Sequence, residues 1–308
     1  MQRDQGSRIN MKVVRFRDNG KSAVGLVRTI GDGYVSVNDV SQLLSDDQCQ
    51  RPESALAYLR LLDEKLGASG TVVNVPMSEL LPPVGNPSKL LCAAMNYHEH
   101  VAEIGAKEFD KSGIVPKLFL KPNSSLLPPI GCLRLPTVSN AVDWELELAV
   151  IIGEGGRNIS VDNALNHVGG YTVFNDISAR RMHWGLEGRT ESHWAEFFDW
   201  LMGKWPDGFA PCGPWIVSAD EIPDPQDLRM RLTLNGDVKQ DSSTAAMIFS
   251  VAELISFASK FMTLESGDLI ATGTPSGVGV VTNTFLSAGD VVVGEIQGVG
   301  AIKTSVNE

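Results

Sequence analysis

The sequence predicts a β-rich α+β fold with a small N-terminal α/β domain. From about residue 90 onward most apolar runs are short, strand-like and bounded by Gly, Pro, Asn or Asp, for example ELELAVIIG, GGYTVFND and DVVVGEI. The run LTLNGDV contains Asn-Gly, which is typical of a hairpin turn. Predicted helices are too few for a (β/α)₈ barrel: one after Asn96, one after Asp176, ESALAYLRLLDEKLGA near the N-terminus, and MIFSVAELISFASKFM at 247–262. The proline-punctuated residues 75–90 are the predicted linker. We therefore expect a small domain at 1–80 and a larger one at 81–308.

Composition restricts the class of partner. The 308-residue chain carries a formal charge of −11, and a negative protein repels phosphate backbones, so nucleic acid is not an expected partner. No apolar run approaches the roughly 18 residues of a membrane span, and the polar N-terminus lacks the apolar segment of a secretion signal. We expect a cytoplasmic protein with no membrane partner and with reduced thiols at its scattered cysteines, Cys49, Cys92, Cys132 and Cys212.

Two acids alternate with leucines in VDWELELAVIIG, residues 142–153. Glu145 and Glu147 share one face of a strand, with Cα atoms about 6–7 Å apart, and like charges beside an apolar run need a cation, a basic side chain or a shared proton. Asp176 follows the strand GGYTVFN, and three carboxylates would suit a hard divalent cation such as Mg²⁺, Mn²⁺ or Ca²⁺. The alternatives are a half-exposed strand with its acids in water and a helix-capping role for Asp176.

Basic residues supply the other candidates. In MNYHEHVAEIG, His100 and Glu103 are neighbours on one helical face, the arrangement of a general base or of a surface pair. Lys121 in LFLKP and Lys204 in LMGKW fit, by themselves, ordinary surface lysines. The run ATGTPSGVG at 271–279 offers free N–H groups for a carboxylate, whereas the P-loop and GxGxxG patterns of nucleotide binding are missing from the sequence.

In order, the segments NYHEHVAE, LFLKP, DWELELAVIIG, GGYTVFNDISAR, LMGKW, MIFSVAELI and TGTPSGVG resemble the fumarylacetoacetate hydrolase family across roughly residues 88–300. The resemblance implies a mixed β-sandwich roll as catalytic domain, usually assembled as a homodimer. It implies a Mg²⁺ or Mn²⁺ site at Glu145, Glu147 and Asp176, and a water-activating dyad of His100 and Glu103. It further implies residues that contact or polarise substrate: Lys204, which we count as catalytic, and Lys121, Arg180 and Thr274.

The chain also departs from the family. His183 stands where many members have Gln, in a longer and more Trp-rich segment, so we expect His183 to contact substrate in a different pocket. Asp143, two residues before Glu145 on the same face, is not expected to bind the metal.

Members of the family act on 1,3-dicarbonyl or 2-oxo acids, so the expected partner is a small anionic 2-oxo or β-diketo acid. The leading hypothesis is metal-dependent hydrolysis of a C–C bond in an acylpyruvate-like acid, in which His100 activates water and the metal stabilises the pyruvate enolate. The first alternative is isomerisation, tautomerisation or decarboxylation of a 2-oxo diacid, such as a hydroxymuconate-type compound or oxaloacetate, at the same site. The second is a non-catalytic protein that binds small acids.

Overall fold

A computed structural model describes residues 11–66, 71–105, 111–185 and 192–308. Within these ranges the strands are β1 (Lys12–Asp18), β2 (Lys21–Ile30), β3 (Tyr34–Asp39), β4 (Val72–Pro76), β5 (Leu80–Leu81), β6 (Leu90–Ala94), β7 (Lys117–Leu120), β8 (Leu126–Leu127), β9 (Ile130–Arg134), β10 (Val142–Asp143), β11 (Leu146–Ile152), β12 (Val168–Asn175), β13 (Ser178–Ala179), β14 (Ala210–Ser218), β15 (Arg229–Leu234), β16 (Asp237–Ser243), β17 (Leu269–Ala271), β18 (Val291–Ile296) and β19 (Gly300–Asn307). The α-helices are α1 (Asp46–Gln50), α2 (Leu56–Leu66), α3 (His98–Glu103), α4 (Val161–Ala164), α5 (His193–Met202), α6 (Val251–Phe261) and α7 (Gly279–Thr282).

Most strands belong to one large mixed sheet. Its order is β4-β3-β2-β1-β14-β12-β11-β17-β6-β7, with β5 paired to β1 and β8 paired to β14. A second sheet has the order β16-β15-β18-β19-β9, and β10 pairs with β13 alone. The N-terminal strands join the large sheet through β1 and β14, where Lys12 lies opposite Val217. Backbone hydrogen bonds therefore continue across the expected domain boundary, and the division at residue 80 stays a prediction.

The side chains of β11 alternate between two apolar cores. The even-numbered residues of Leu146–Ile152 pack in a core shared with β15 and β18 of the second sheet. Ala149 and Ile151 face a core shared with α1 and α2. Every residue of β11 is buried, so this strand is covered on both faces as its apolar run predicts. By alternation, Glu145 and Glu147 project on the side of Ala149 and Ile151, at the end of the strand where the apolar run begins.

Helix α6 confirms the helix predicted at 247–262, and it starts with a capping box between Ser250 and Glu253. The prediction of a helix after Asp176 is wrong. Instead Ser178–Ala179 form β13, with Ser178 opposite Asp143. The N–H of Ala179 donates to Gly203 and that of Arg180 to Ala141, so these groups are not available for helical hydrogen bonds. The local sequence does not reveal these distant acceptors.

No helix among the described residues is long and apolar enough to cross a membrane. The four cysteines are free thiols, as expected, and three of them are buried: Cys49, Cys92 and Cys212.

Candidate active site

Three carboxylates converge where β11 begins and β12 ends. These strands are antiparallel neighbours, with Leu146 opposite Asn175, so Glu145, Glu147 and Asp176 are brought to one end of the pair. One oxygen from each lies within 4.8 Å of the others. The three residues are 6%, 1% and 1% exposed, respectively. Burial excludes the alternative of acids in water.

Basic side chains neutralise part of this cluster. The Lys204 ammonium donates to Glu145 Oε2 at 2.7 Å and to Asp176 Oδ2 at 2.6 Å, and Lys121 donates to Asp176 Oδ1 at 2.6 Å. Arg180 pairs with the other oxygen of Glu145. The side chains of Lys121 and Lys204 are only 0% and 2% exposed, so neither is a surface lysine. Burial opposes the charge on Lys204, but Asp176 and Glu145 outweigh it and raise its pKa.

The acids differ in how well they are compensated. Burial would raise the pKa of Glu145, but Lys204 and Arg180 outweigh it and lower that pKa. Glu147 accepts a hydrogen bond from the Gly273 N–H at 2.7 Å. Burial, followed by the nearby Asp176 and Glu145, raises the pKa of Glu147 well above its usual range. A further cation beside Glu147 would therefore be favourable.

The donor set fits a hard divalent cation. Four buried carboxylates, those of the triad and Asp143, face three basic groups, those of Lys121, Arg180 and Lys204. Carboxylate oxygens are the ligands that Mg²⁺ and Mn²⁺ prefer, and a surplus of buried negative charge attracts them. The residues that would hold the ion are those of the triad: Glu145, Glu147 and Asp176.

Asp143 is not one of the three grouped carboxylates, and it connects three segments. Its Oδ1 accepts from the N–H groups of Trp144 at 2.8 Å and Gly279 at 2.6 Å. Its Oδ2 accepts from Arg180 Nε at 2.9 Å and from the Val280 N–H at 3.0 Å. The carboxylate thereby connects Arg180, which pairs with Glu145, to the first turn of α7.

The His–Glu pair is formed. His100 Nδ1 lies 2.8 Å from Glu103 Oε1, and Glu103 Oε2 accepts from the Gly277 N–H at 2.8 Å. Because Nδ1 faces a carboxylate, we assign it the ring proton, which leaves Nε2 as the basic nitrogen. Asn96, expected to start the helix, instead exchanges hydrogen bonds with the backbone of Phe249.

A cavity of about 1170 Å³ gathers most of the predicted residues on its wall: His100, Lys121, Glu145, Arg180, Lys204 and Thr274. Glu103, Glu147 and Asp176 contact or neighbour these residues through the hydrogen bonds and short distances given above. His183 is the exception, since it is exposed and lines a separate cavity of about 320 Å³. Its predicted contact with substrate has no support from this geometry.

Sequence reasoning missed two contributors. Gln240 donates to Thr274 Oγ1 at 2.8 Å and accepts from the Leu146 N–H at 3.0 Å, so it links the TGTP loop to β11. Nothing in its polar surroundings, DVKQDSS, signals this role. The aromatic face of α5 does carry a signal, because Phe197, Trp200 and Leu201 have the spacing of one helical face.

A strand-rich fold whose cavity ends on buried carboxylates and lysines is typical of an enzyme that acts on a small anion. The sequence model described as "Fumarylacetoacetate (FAA) hydrolase C-terminal" matches residues 89–307. The chain belongs to the fumarylacetoacetate hydrolase family and is an enzyme of that family.

Relatives within the family carry different reactions in their names. A curated oxaloacetate tautomerase of Xenopus laevis, described as mitochondrial, is 37% identical, and the match covers 98% of this chain and 92% of that protein. The solved maleylpyruvate hydrolase of Sphingobium sp. SYK-6, in complex with manganese(II) and pyruvate, is 30% identical over 96% of this chain and 99% of that one, with a TM-score of 0.74.

A 2-hydroxyhepta-2,4-diene-1,7-dioate isomerase of Mycobacterium marinum is 30% identical over 96% of this chain and 98% of that one, with a TM-score of 0.70. Membership of the family therefore does not select one reaction. The expected homodimer and cytoplasmic location also stay predictions.

Proposed function

We propose that the protein is a divalent-metal-dependent enol–keto tautomerase of 2-oxo diacids, with oxaloacetate as substrate. Tautomerisation belongs to the first alternative that the sequence offered. We prefer it to hydrolysis because of one observation: the 37% identity to an oxaloacetate tautomerase extends over 98% of the chain. The cavity supports it, since three basic side chains converge on the end where a dicarboxylate head would bind: Lys121, Arg180 and Lys204.

The polar end of the cavity would bind and orient the acid. The side chains of Lys204 and Lys121 are held in ion pairs with Glu145 and Asp176 at the polar end of the cavity, where they would offset charge on substrate oxygens. Thr274 Oγ1 accepts from Gln240, which leaves its own proton free to donate to a substrate carboxylate. A Mg²⁺ or Mn²⁺ ion held by Glu145, Glu147 and Asp176 would act as a Lewis acid toward the 2-oxo and carboxylate oxygens.

The imidazole of His100 would move the proton. In the keto-to-enol direction the C3–H bond of the substrate breaks, and Nε2 takes the proton while Glu103 stabilises the resulting imidazolium. The same imidazolium then protonates the 2-oxo oxygen, so the net change replaces one C–H bond with one O–H bond. No water is consumed.

The test is NMR exchange between enol and keto oxaloacetate with Mg²⁺ or Mn²⁺. We expect the wild-type protein to accelerate the exchange, and His100→Ala to reduce its kcat by at least about 100-fold, the usual contribution of a general base. His98→Ala is the matched control, because His98 lies on the same helix, is exposed and does not line the cavity. Exchange at the uncatalysed rate with both metals would refute the proposal.

The His100–Glu103 pair also favours a second candidate, the hydrolysis of an acylpyruvate that led the sequence analysis. Here His100 takes a proton from water, the oxygen adds to the distal carbonyl, and cleavage of the C–C bond gives a carboxylic acid and pyruvate. The same NMR experiment with acetylpyruvate separates the reactions, because hydrolysis releases acetate and pyruvate whereas tautomerisation releases neither. Decarboxylation of oxaloacetate would appear as pyruvate and carbon dioxide.

A further inference from the structure

The cavity has an apolar part that the proposed reaction does not use. We define the apolar wing as the side chains that β7 and α5 contribute to the cavity wall: Leu118, Phe119, Leu120, Phe197, Trp200 and Leu201. The same two elements also contribute Lys117 and His193 to the wall. Oxaloacetate is polar at both ends, so it would make little use of an apolar surface.

Helix α5 turns its aromatic residues toward open space. Phe197, Trp200 and Leu201 lie at positions i, i+3 and i+4, so they share one helical face. None of the residues of α5 is fully buried, and Phe197 is 45% exposed. Contiguous exposed apolar surface is unfavourable in water and commonly marks a binding groove. This face of α5 therefore offers apolar surface to a group that enters the cavity.

The apolar wing begins directly beside the charged end. Lys204 Nζ lies 5.2 Å from the ring centroid of Phe119 and 5.8 Å from that of Trp200. The rings of Phe119 and Trp200 pack edge to face, with centroids 5.0 Å apart. A group attached to an acid head held at Lys204 would thus meet aromatic rings at once.

The volume agrees with a substrate that is larger than a small diacid. The cavity of about 1170 Å³ exceeds the range of about 300–1,000 Å³ that holds drug-sized ligands. We propose that the enzyme's substrate class extends beyond oxaloacetate to 2-oxo acids with an aryl or long alkyl tail, whose tail packs against the apolar wing. The inference rests on the proposed function only in placing the 2-oxo acid head at the charged end.

The test compares two acids with the same head. Acetylpyruvate and benzoylpyruvate are both β-diketo acids and differ in a methyl versus a phenyl group. With isothermal titration calorimetry on the Mn²⁺-loaded protein, we expect benzoylpyruvate to bind at least about tenfold more tightly, because burial of a phenyl ring is favourable. We expect Phe197→Ala to weaken benzoylpyruvate binding roughly tenfold and to leave acetylpyruvate binding unchanged.

Phe261→Ala is the matched control. Phe261 is the last residue of α6, is 66% exposed and does not line the cavity, so its loss is expected to change neither affinity. Phe197→Leu keeps an apolar side chain without the ring and is expected to give an intermediate loss, which also covers the case in which the alanine variant is poorly folded.

Equal affinity for the two acids, or equal effects of the Phe197 and Phe261 variants, would overturn the inference and leave the tautomerase proposal intact. Selective, Phe197-dependent binding of benzoylpyruvate without turnover of any 2-oxo acid would support the inference and overturn the tautomerase proposal.

Discussion

Replacement of Asp143 by Asn tests whether the hydrogen bonds of this buried carboxylate stabilise the folded protein. Each of its two oxygens accepts two N–H groups: Oδ1 from Trp144 and Gly279, and Oδ2 from Arg180 and Val280. An asparagine has one carbonyl oxygen and one NH₂ group, and the NH₂ group cannot accept. In either orientation of the amide, two donors therefore lose their acceptor.

The size of the effect follows from this count. Arg180 keeps its pair with Glu145 but loses a charged partner that is itself fully buried. A hydrogen bond to a charged group contributes about 1.5–3 kcal/mol and a neutral one about 1 kcal/mol, so we expect Asp143→Asn to lower the free energy of unfolding by about 2.5–4 kcal/mol. At roughly 2 °C or more per kcal/mol for a chain of this size, the Tm should fall by at least about 5 °C.

Thermal denaturation followed by circular dichroism measures this change. The control is Asp241→Asn, which breaks an arginine–aspartate pair of the same kind at the surface, where Arg229 donates to Asp241 at 3.1 and 2.9 Å. Solvent screens that pair, so its Tm should not change measurably. If Asp143→Asn lowers the Tm no more than Asp241→Asn does, the assigned role of Asp143 is wrong.

Two further predictions concern buried acids. Glu147→Gln should raise the Mn²⁺ dissociation constant at least about 100-fold in isothermal titration calorimetry. The metal-free variant should be no less stable than wild type, because the substitution removes a poorly compensated carboxylate. A lower Tm of the metal-free variant would contradict this. Burial raises the pKa of Glu53 to about 7 against the attraction of Arg51, and its two carboxylate oxygens have no hydrogen-bond partner. Since the folded-state pKa lies above the unfolded value, the contribution of Glu53 to stability is most favourable below pH about 4.5 and is lost as pH rises through 7. In urea denaturation, the free energy of unfolding of Glu53→Gln should therefore gain about 2 kcal/mol relative to wild type between pH 5 and pH 8. The exposed Glu64→Gln should show no such gain.

The pair Glu145 and Glu147 could be singled out from sequence because its geometry is local: the two residues lie two positions apart at the mouth of a buried strand. Asp176 follows the strand that pairs with it, and family resemblance, not spacing, assigned it to the same site. The contacts of Lys121 and Lys204 with Asp176 could not be predicted from spacing, since they join residues 55 and 28 positions apart. Family resemblance assigned substrate roles to these lysines but did not indicate that both form ion pairs with Asp176.

In the fold, too, some elements could be predicted from local sequence and others could not. The strand-rich composition and α6 follow from local periodicity, whereas β13 depends on acceptors supplied by Ala141 and Gly203, far away in sequence. Helix α5 is not among the predicted helices, although its aromatic segment carries a periodic apolar face. Its i, i+3, i+4 face would have identified both the helix and the apolar wing.

The two ends of the cavity differ in how much a substitution there is expected to reduce stability. The charged end is fixed by β11, which is buried along its whole length, so a substitution there disturbs two apolar cores. Half of the apolar wing is formed by α5, in which no residue is fully buried, so substitutions in that helix cost little stability. Lys204 joins the two ends, because it follows α5, lies over the rings of Phe119 and Trp200, and pairs with Glu145 and Asp176. A fixed charged end beside an exchangeable apolar wing would let one acid-binding site accept different tails, which agrees with relatives that are named for different acids: oxaloacetate, maleylpyruvate and 2-hydroxyhepta-2,4-diene-1,7-dioate.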